Sequence, residues 1–373
     1  MSLDTLVEIS RYYGKNPDYV LAGGGNTSWK DDHTLYVKSS GTSLADVNSD
    51  SFVKMDRKAL ALIWDRDYPE LREQRESAVL ADMMAARIPG VQEKRPSVES
   101  LLHDIIPFAF VVHLHPALVN GLGCSVNGET TVKNIFGDKT IWIESINPGY
   151  VLAKEVKSKM DAYSARNIKT PSIIFMQNHG IFVGDDSVTG IREKYDNIMQ
   201  KIGTHIKRRP DFSDEEQFAI NENDNEKINM IIKTLSELSG GTAIFMQGKE
   251  VSRLVKDQTS FTPLSSAFTP DHIVYAGSAP LFITTDIDIQ SAWKNHIEKN
   301  GIAPKIIAVQ GLGIFSAAVT EKATALAMNL FRDSVKIAVY AESFGGPLFM
   351  TEDKIDFIKN WEVERYRTSV SDK

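Results

Sequence analysis

Apolar residues fall along this chain in short runs broken by glycine, proline and small polar residues, a pattern of buried strands alternating with amphipathic helices. The most informative run is Ala109-Phe110-Val111-Val112-His113-Leu114-His115, closed by Pro116. Its shortness and its valines predict a buried strand. Side chains alternate along a strand, so His113 and His115 project from one face and can share a metal ion. By itself H-x-H is also what two satisfied, partly buried histidines look like.

Strands are also predicted at 19–22, 34–38, 52–55, 141–143 and 172–177, and further on at 242–246, 272–275 and 305–309. Helices are predicted over about 3–13, 57–64, 70–87, 97–103, 116–122, 149–165, 187–206 and 320–342. The polar stretch from Arg208 to Asn225 reads as a linker between a domain of residues 1–206 and a second α/β domain of residues 226–373. Ser172 to Phe182, which carries Asn178-His179-Gly180, resembles Lys305 to Phe315, with Leu312 standing where His179 stands. The second domain can therefore be a diverged copy without the metal ligands, or an unrelated strand–turn–helix unit.

Three small polar stretches complete the candidate chemistry. Gly23-Gly24-Gly25-Asn26-Thr27-Ser28 reads as a turn whose backbone N–H groups could cradle an anion. Ser39-Ser40-Gly41-Thr42-Ser43 is a second hydroxyl-rich turn. In Pro96-Ser97-Val98-Glu99-Ser100-Leu101-Leu102-His103, Ser97 can cap a helix and Glu99 suits its first turn, while Glu99 and His103 share a helix face.

Composition narrows the classes. The 373 residues are 42% hydrophobic and 24% charged, ordinary for a globular protein of about two domains. A net charge of −7 argues against a broad nucleic-acid surface. Cys124 is the only cysteine, which rules out an intrachain disulfide. With no basic-then-apolar leader and no run long enough to span a bilayer, a cytoplasmic protein that binds no membrane is expected.

In this order and spacing the motifs Gly-Gly-Gly-Asn-Thr-Ser, Ser-Ser-Gly-Thr-Ser, Pro-Ser-x-Glu-x-x-x-His, His-Leu-His-Pro and Asn-His-Gly resemble the class II aldolase/adducin family over about residues 1–205. The wider chain looks like the aldolase portion of bifunctional rhamnulose-1-phosphate aldolase/alcohol dehydrogenase proteins. The dehydrogenase domain of those proteins has no counterpart in residues 1–373, so dehydrogenase activity is not expected of them, which leaves room for a separate dehydrogenase partner. The resemblance implies a three-layer α/β/α domain around a mainly antiparallel sheet. It implies Zn²⁺, or a similar divalent metal, on His113, His115 and His179, with Glu99 as acid/base. Gly25, Asn26, Ser40, Gly41 and Ser97 match its phosphate-cradle positions. Val98 departs from the pattern, since many members carry a second serine there. The implied activity is cleavage of a ketose 1-phosphate of the rhamnulose or fuculose type to dihydroxyacetone phosphate and an aldehyde such as lactaldehyde. A pentulose-phosphate 4-epimerase and a non-catalytic adducin-like module are the alternatives. The family also implies a homo-oligomer, a tetramer by resemblance.

Overall fold

The computed structural model describes residues 3–89, 94–166, 170–215, 221–284 and 288–361. Backbone contacts divide the chain into two compact units, Met1–Gly123 with Asn127–His205, and Cys124–Val126 with Ile206–Lys373. Part of the predicted linker, residues 216–220, lies outside the described residues. Among those residues no helix is long and apolar enough to cross a membrane.

The first unit is built on seven strands: β1 (Asn26–Lys30), β2 (Thr34–Lys38), β3 (Phe52–Asp56), β4 (Phe110–Leu114), β5 (Ile141–Ile143), β6 (Ile173–Met176) and β7 (Gly180–Asp185). Their order is β3-β2-β1-β4-β7-β6-β5. Every neighbouring pair is antiparallel except β5 with β6. Alternation along β4 sorts the two faces. Val111 joins an apolar cluster with Leu60, Met83, Leu101 and Val156, from helices Arg57–Leu62, Arg72–Ala85, Ser100–Ile105 and Tyr150–Ser164. On the other face the Tyr195 hydroxyl, from helix Val188–Gly203, donates to Val112 O at 3.0 Å. Tyr13, from helix Leu3–Gly14, packs on Tyr195. The result is the expected three-layer α/β/α domain with a mainly antiparallel sheet.

Two predicted strands are corrected. Residues 19–22 form no strand: Tyr19 and Ala22 lie in turns, and Ala22 at φ 53° leaves the extended region. The strand begins instead at Asn26, inside what the sequence suggests is a turn. Residues 272–275 belong to a π-helix, His272–Ala276. A four-residue apolar run cannot by itself distinguish a strand from a buried helix, and Thr269-Pro270 just before it is a helix-start signal. Helix Ser100–Ile105 starts later than predicted. Ser97 is not its cap, and Glu99 takes that place without a side-chain capping bond.

The second unit holds β8 (Thr242–Met246), β9 (Leu281–Ile283), β10 (Ile306–Val309) and β11 (Gly313–Ala318) in the order β8-β11-β10-β9. This repeats β4-β7-β6-β5 strand for strand, with the same antiparallel, antiparallel and parallel pairings. Ile173↔Val183 and Met176↔Gly180 in one hairpin answer to Ile306↔Ser316 and Val309↔Gly313 in the other. The turns agree as well: Asn178 and Gly311 have φ 56° and 70°. The Gln177 N–H donates to Ile143 O and the Gln310 N–H to Ile283 O, both at 2.9 Å. In this register Phe245 answers to His113 and Leu312 to His179.

Strand β1 ends on Lys30, which is buried and donates from Nζ to the carbonyls of His103 and Ile106, each at 2.6 Å. Burial pulls its pKa down to about 7, with the Asp104 carboxylate opposing the shift. In the unfolded chain lysine keeps its proton to about pH 10. Between about 7 and 10 the unfolded state therefore binds more protons, and stability rises with pH through this window. Lys30→Met should flatten the slope of unfolding free energy there by up to about 1.4 kcal/mol per pH unit. Denaturant titrations at a series of pH values check it; equal slopes in both proteins would contradict it.

Candidate metal centre and active site

Strand β4 delivers His113, which is fully buried, and the chain leaves the sheet at His115. The β6–β7 hairpin turn brings His179 to the same spot. Asn178 takes the left-handed conformation that lets the chain turn there. Gly180 follows because nothing larger fits: a Cβ would lie 2.5 Å from Leu114 O and 2.6 Å from His115 Cδ2. One ligand nitrogen from each of His113, His115 and His179 lies within 4.8 Å of the others. Phe182 stacks on the His113 ring at 4.0 Å between centroids. His113 Nδ1 sits 3.0 Å from Ile181 O. A carbonyl only accepts, so Nδ1 carries the proton and Nε2 presents its lone pair, 2.9 Å from His115 Nε2. Orientation of a ligating imidazole through its other nitrogen is the usual arrangement at a metal.

Glu99 meets this group from the 95–99 segment. Its Oε1 lies 3.4 Å from His179 Nε2 and its Oε2 lies 3.5 Å from His113 Nε2. Asn26 Nδ2 donates to Oε2 at 2.6 Å, while Oε1 is buried without a hydrogen-bond partner among the described residues. A buried, unsatisfied carboxylate oxygen costs about 1–3 kcal/mol or more. Beside converging imidazole lone pairs, a divalent cation would remove that cost. The residues present fit a catalytic metal: three imidazoles, with a carboxylate at hand.

The cradle positions divide. Asn26 and Ser28 belong to β1 and do not form an anion-binding turn. The Asn26 side chain is engaged by Glu99 and His103. Gly25 is needed for the close approach of backbones, since a Cβ would lie 2.8 Å from His113 O. Ser40 and Ser97 do come together: Ser40 N donates to Arg95 O and Ser97 N to Lys38 O. Gly41, at φ 80°, turns that loop. Ser97 Oγ accepts from Glu99 N at 3.2 Å, leaving its own proton to donate. Sequence reasoning misses Lys38. It is buried at the end of β2, and its Nζ ties Thr42 O at 2.5 Å to Gly23 O at 3.4 Å, holding the two glycine-containing loops together. A lysine closing a β-strand gives no signal of that role.

Zinc titration should give one equivalent bound per chain by calorimetry or elemental analysis. His115→Ala and Gly180→Ala should each lower the affinity by at least tenfold, the first by removing a ligand and the second by pushing Leu114 and His115 away. Ser40→Ala should bind zinc as the parent does. Unchanged affinity in both His115→Ala and Gly180→Ala would rule out this centre.

The family model for the class II aldolase and adducin N-terminal domain matches residues 4–195. A Bacillus subtilis protein described as the uncharacterized oxidoreductase YuxG is 22% identical over 413 aligned residues, which cover 99% of this chain. The chain spans 58% of that relative's length. Among solved structures, the N-terminal class II aldolase domain of a conserved Thermoplasma acidophilum protein is 26% identical. It covers 55% of this chain and 93% of its own, with a TM-score of 0.46. An L-fuculose-1-phosphate aldolase from Thermus thermophilus is 14% identical, over 54% of this chain and 94% of its own, with a TM-score of 0.35. By the match over residues 4–195, more than half of its length, the chain belongs to the class II aldolase and adducin family.

Proposed function

We propose that this protein is a zinc-dependent aldolase that cleaves a ketose 1-phosphate of the rhamnulose or fuculose type to dihydroxyacetone phosphate and an aldehyde such as lactaldehyde. The observation that carries the reading is the buried Glu99 Oε1, without a hydrogen-bond partner, 3.4 Å from His179 Nε2 at the meeting point of three histidines. A non-catalytic scaffold gains nothing from holding a carboxylate there. His113, His115 and His179 would hold the metal. Bound zinc would supply a Lewis acid for the ketone oxygen and for the negative charge that develops beside it.

The chain's own residues do the rest. As the carbon–carbon bond next to the carbonyl breaks, its electron pair moves toward the ketone, the hydroxyl on the departing carbon gives its proton to the ionised Glu99 as the aldehyde forms, and the remaining fragment needs a proton on carbon. Glu99 Oε1 delivers that proton, and removes it in the synthetic direction, because Asn26 already occupies Oε2. Ser97 Oγ, Ser40 and the backbone around Gly41 hold the phosphate, which fixes the reacting carbons relative to Glu99. Val98 offers no hydroxyl, so the anion relies on fewer donors.

We also infer that the second unit is a diverged copy of the β4–β7 half of the first, with its metal corner filled. A Cβ on Gly313 would meet Phe245 Cε2 at 2.5 Å, as one on Gly180 would meet His113 Cε1 at 3.3 Å. Phe245 packs on Phe315 at 4.7 Å as His113 packs on Phe182. No strand corresponding to β1 stands beside β8 among the described residues, so this corner has no counterpart of Asn26.

A screen of ketose 1-phosphates with zinc-loaded protein, detecting dihydroxyacetone phosphate with a coupled reductase, tests the activity. One sugar should yield the two fragments in equal amounts. Recovery of an inverted sugar without fragments would instead indicate an epimerase. Glu99→Gln should keep the zinc and lower kcat by roughly 10²–10⁴. Ser97→Ala should raise KM by about 10–100-fold, the worth of a charge-assisted hydrogen bond. For the second unit, the triple variant Phe245→His, Gln247→His, Leu312→His should raise the zinc content from one to two per chain; a folded variant that binds only one would count against the copy.

A further inference from the structure

Strand β1 and the helix that begins at Ser100 face each other like two rails. Asn26 and Ser28 lie two residues apart on one face of β1, a step of about 6.6 Å. Glu99 and His103 lie four residues apart, a step of about 6.0 Å along a helix. The matched steps put Asn26 against Glu99 and Ser28 against His103. Asn26 also bridges to His103, so the four side chains form one line. Ser28 Oγ is 2.7 Å from His103 Nδ1. His103 Nε2 is in hydrogen-bond contact with Asn26 Oδ1, and Asn26 Nδ2 is 2.6 Å from Glu99 Oε2. All four residues are buried, with Ser28 and His103 fully enclosed.

Only one direction of hydrogen bonding satisfies this line. An ionised Glu99 accepts and never donates, so Asn26 must turn its amide nitrogen toward it. Asn26 Oδ1 then faces His103 Nε2, which must carry the proton. His103 Nδ1 is left as the acceptor, and the Ser28 hydroxyl donates to it. The reverse tautomer would turn Asn26 Oδ1 toward the carboxylate, setting two acceptors against each other. A doubly protonated ring is opposed by burial, which pushes the His103 pKa well below its ordinary value.

We propose that His103 is a positioning residue, held by Ser28 as the Nε2–H tautomer, which locks the Asn26 amide onto one oxygen of Glu99 and leaves the other oxygen directed at the three histidines. This rests on Glu99 being the proton carrier in the reading above. The carboxylate needs the lock because a single helix-start residue, with no capping bond of its own, otherwise has torsional freedom at the point of proton transfer. It also gives Asn26 a task apart from phosphate binding.

Two measurements on the zinc-loaded full chain test it. Long-range ¹H–¹⁵N NMR should show His103 as a neutral ring protonated on Nε2 from pH 6 to 8; a ring protonated on Nδ1 or on both nitrogens overturns the proposal. In steady-state assays His103→Leu should retain one zinc and lower kcat by about 10–100-fold with KM changed less than threefold. His103→Gln, whose amide can still donate to Asn26 Oδ1, should recover at least part of that kcat. Equal losses in the two variants, or a loss confined to KM, overturn it. Should His103→Leu not fold, Ser28→Ala, which removes only the hydroxyl, should lower kcat severalfold and weaken the tautomer preference. Wild-type kcat and tautomer in Ser28→Ala would refute the line. If no ketose phosphate is turned over, the aldolase reading fails, while the NMR result still decides the tautomer and the lock.

Discussion

Burying a carboxylate beside three imidazoles is the constraint on which the first unit turns. Glu99 Oε1 has no hydrogen-bond partner, and His113 Nε2 looks toward a second imidazole nitrogen. Such an arrangement is costly in an apolar interior unless a cation completes it. The sheet provides the means of holding it. Strand β4 is central, paired on one side with β1 through Asn26↔His113 and on the other with β7 through His113↔Phe182. A one-residue slip in either pairing would turn Asn26 or Phe182 to the opposite face. The meeting of the three histidines therefore depends on register, and register depends on the apolar alternation that buries Val111 on one face and Val112 on the other.

The same reasoning explains why some of the site is legible in the sequence and some is not. His113 and His115 are separated by one residue, and strand alternation alone puts them together. His179 lies beyond a buried apolar run at a turn marked by glycine, a local signal. Glu99 and His103 carry helix spacing. Asn26 is harder to read, because three glycines before it suggest a turn while its pairing with β4 makes it strand. That pairing is long-range, and no short window contains it. The run His272-Ile273-Val274-Tyr275 misleads for a related reason: all four residues are buried, so periodicity has nothing to report, and the packing around them selects the helix.

The second unit carries the same sheet order with apolar side chains at the corresponding positions. Its sheet preserves the order and register of β4, β7, β6 and β5, down to the hydrogen bond from a glutamine N–H at the hairpin turn. Phenylalanine and leucine take the places of two imidazoles, and Phe315 packs on Phe245 where Phe182 packs on His113. Apolar groups at these positions need no cation to satisfy them. The backbone pattern thus belongs to packing, and the chemistry to a few side chains placed on it.

Proton exchange on the product itself tests most directly the claim that Glu99, poised beside the three histidines, carries the proton. Zinc-loaded protein incubated with dihydroxyacetone phosphate in deuterated water, with no aldehyde present, should label the hydroxymethyl carbon that forms the new bond, followed by NMR. Glu99→Gln with its zinc retained should leave that carbon unlabelled on the same timescale. Rapid labelling by the variant would contradict the account, because another group would then be moving the proton.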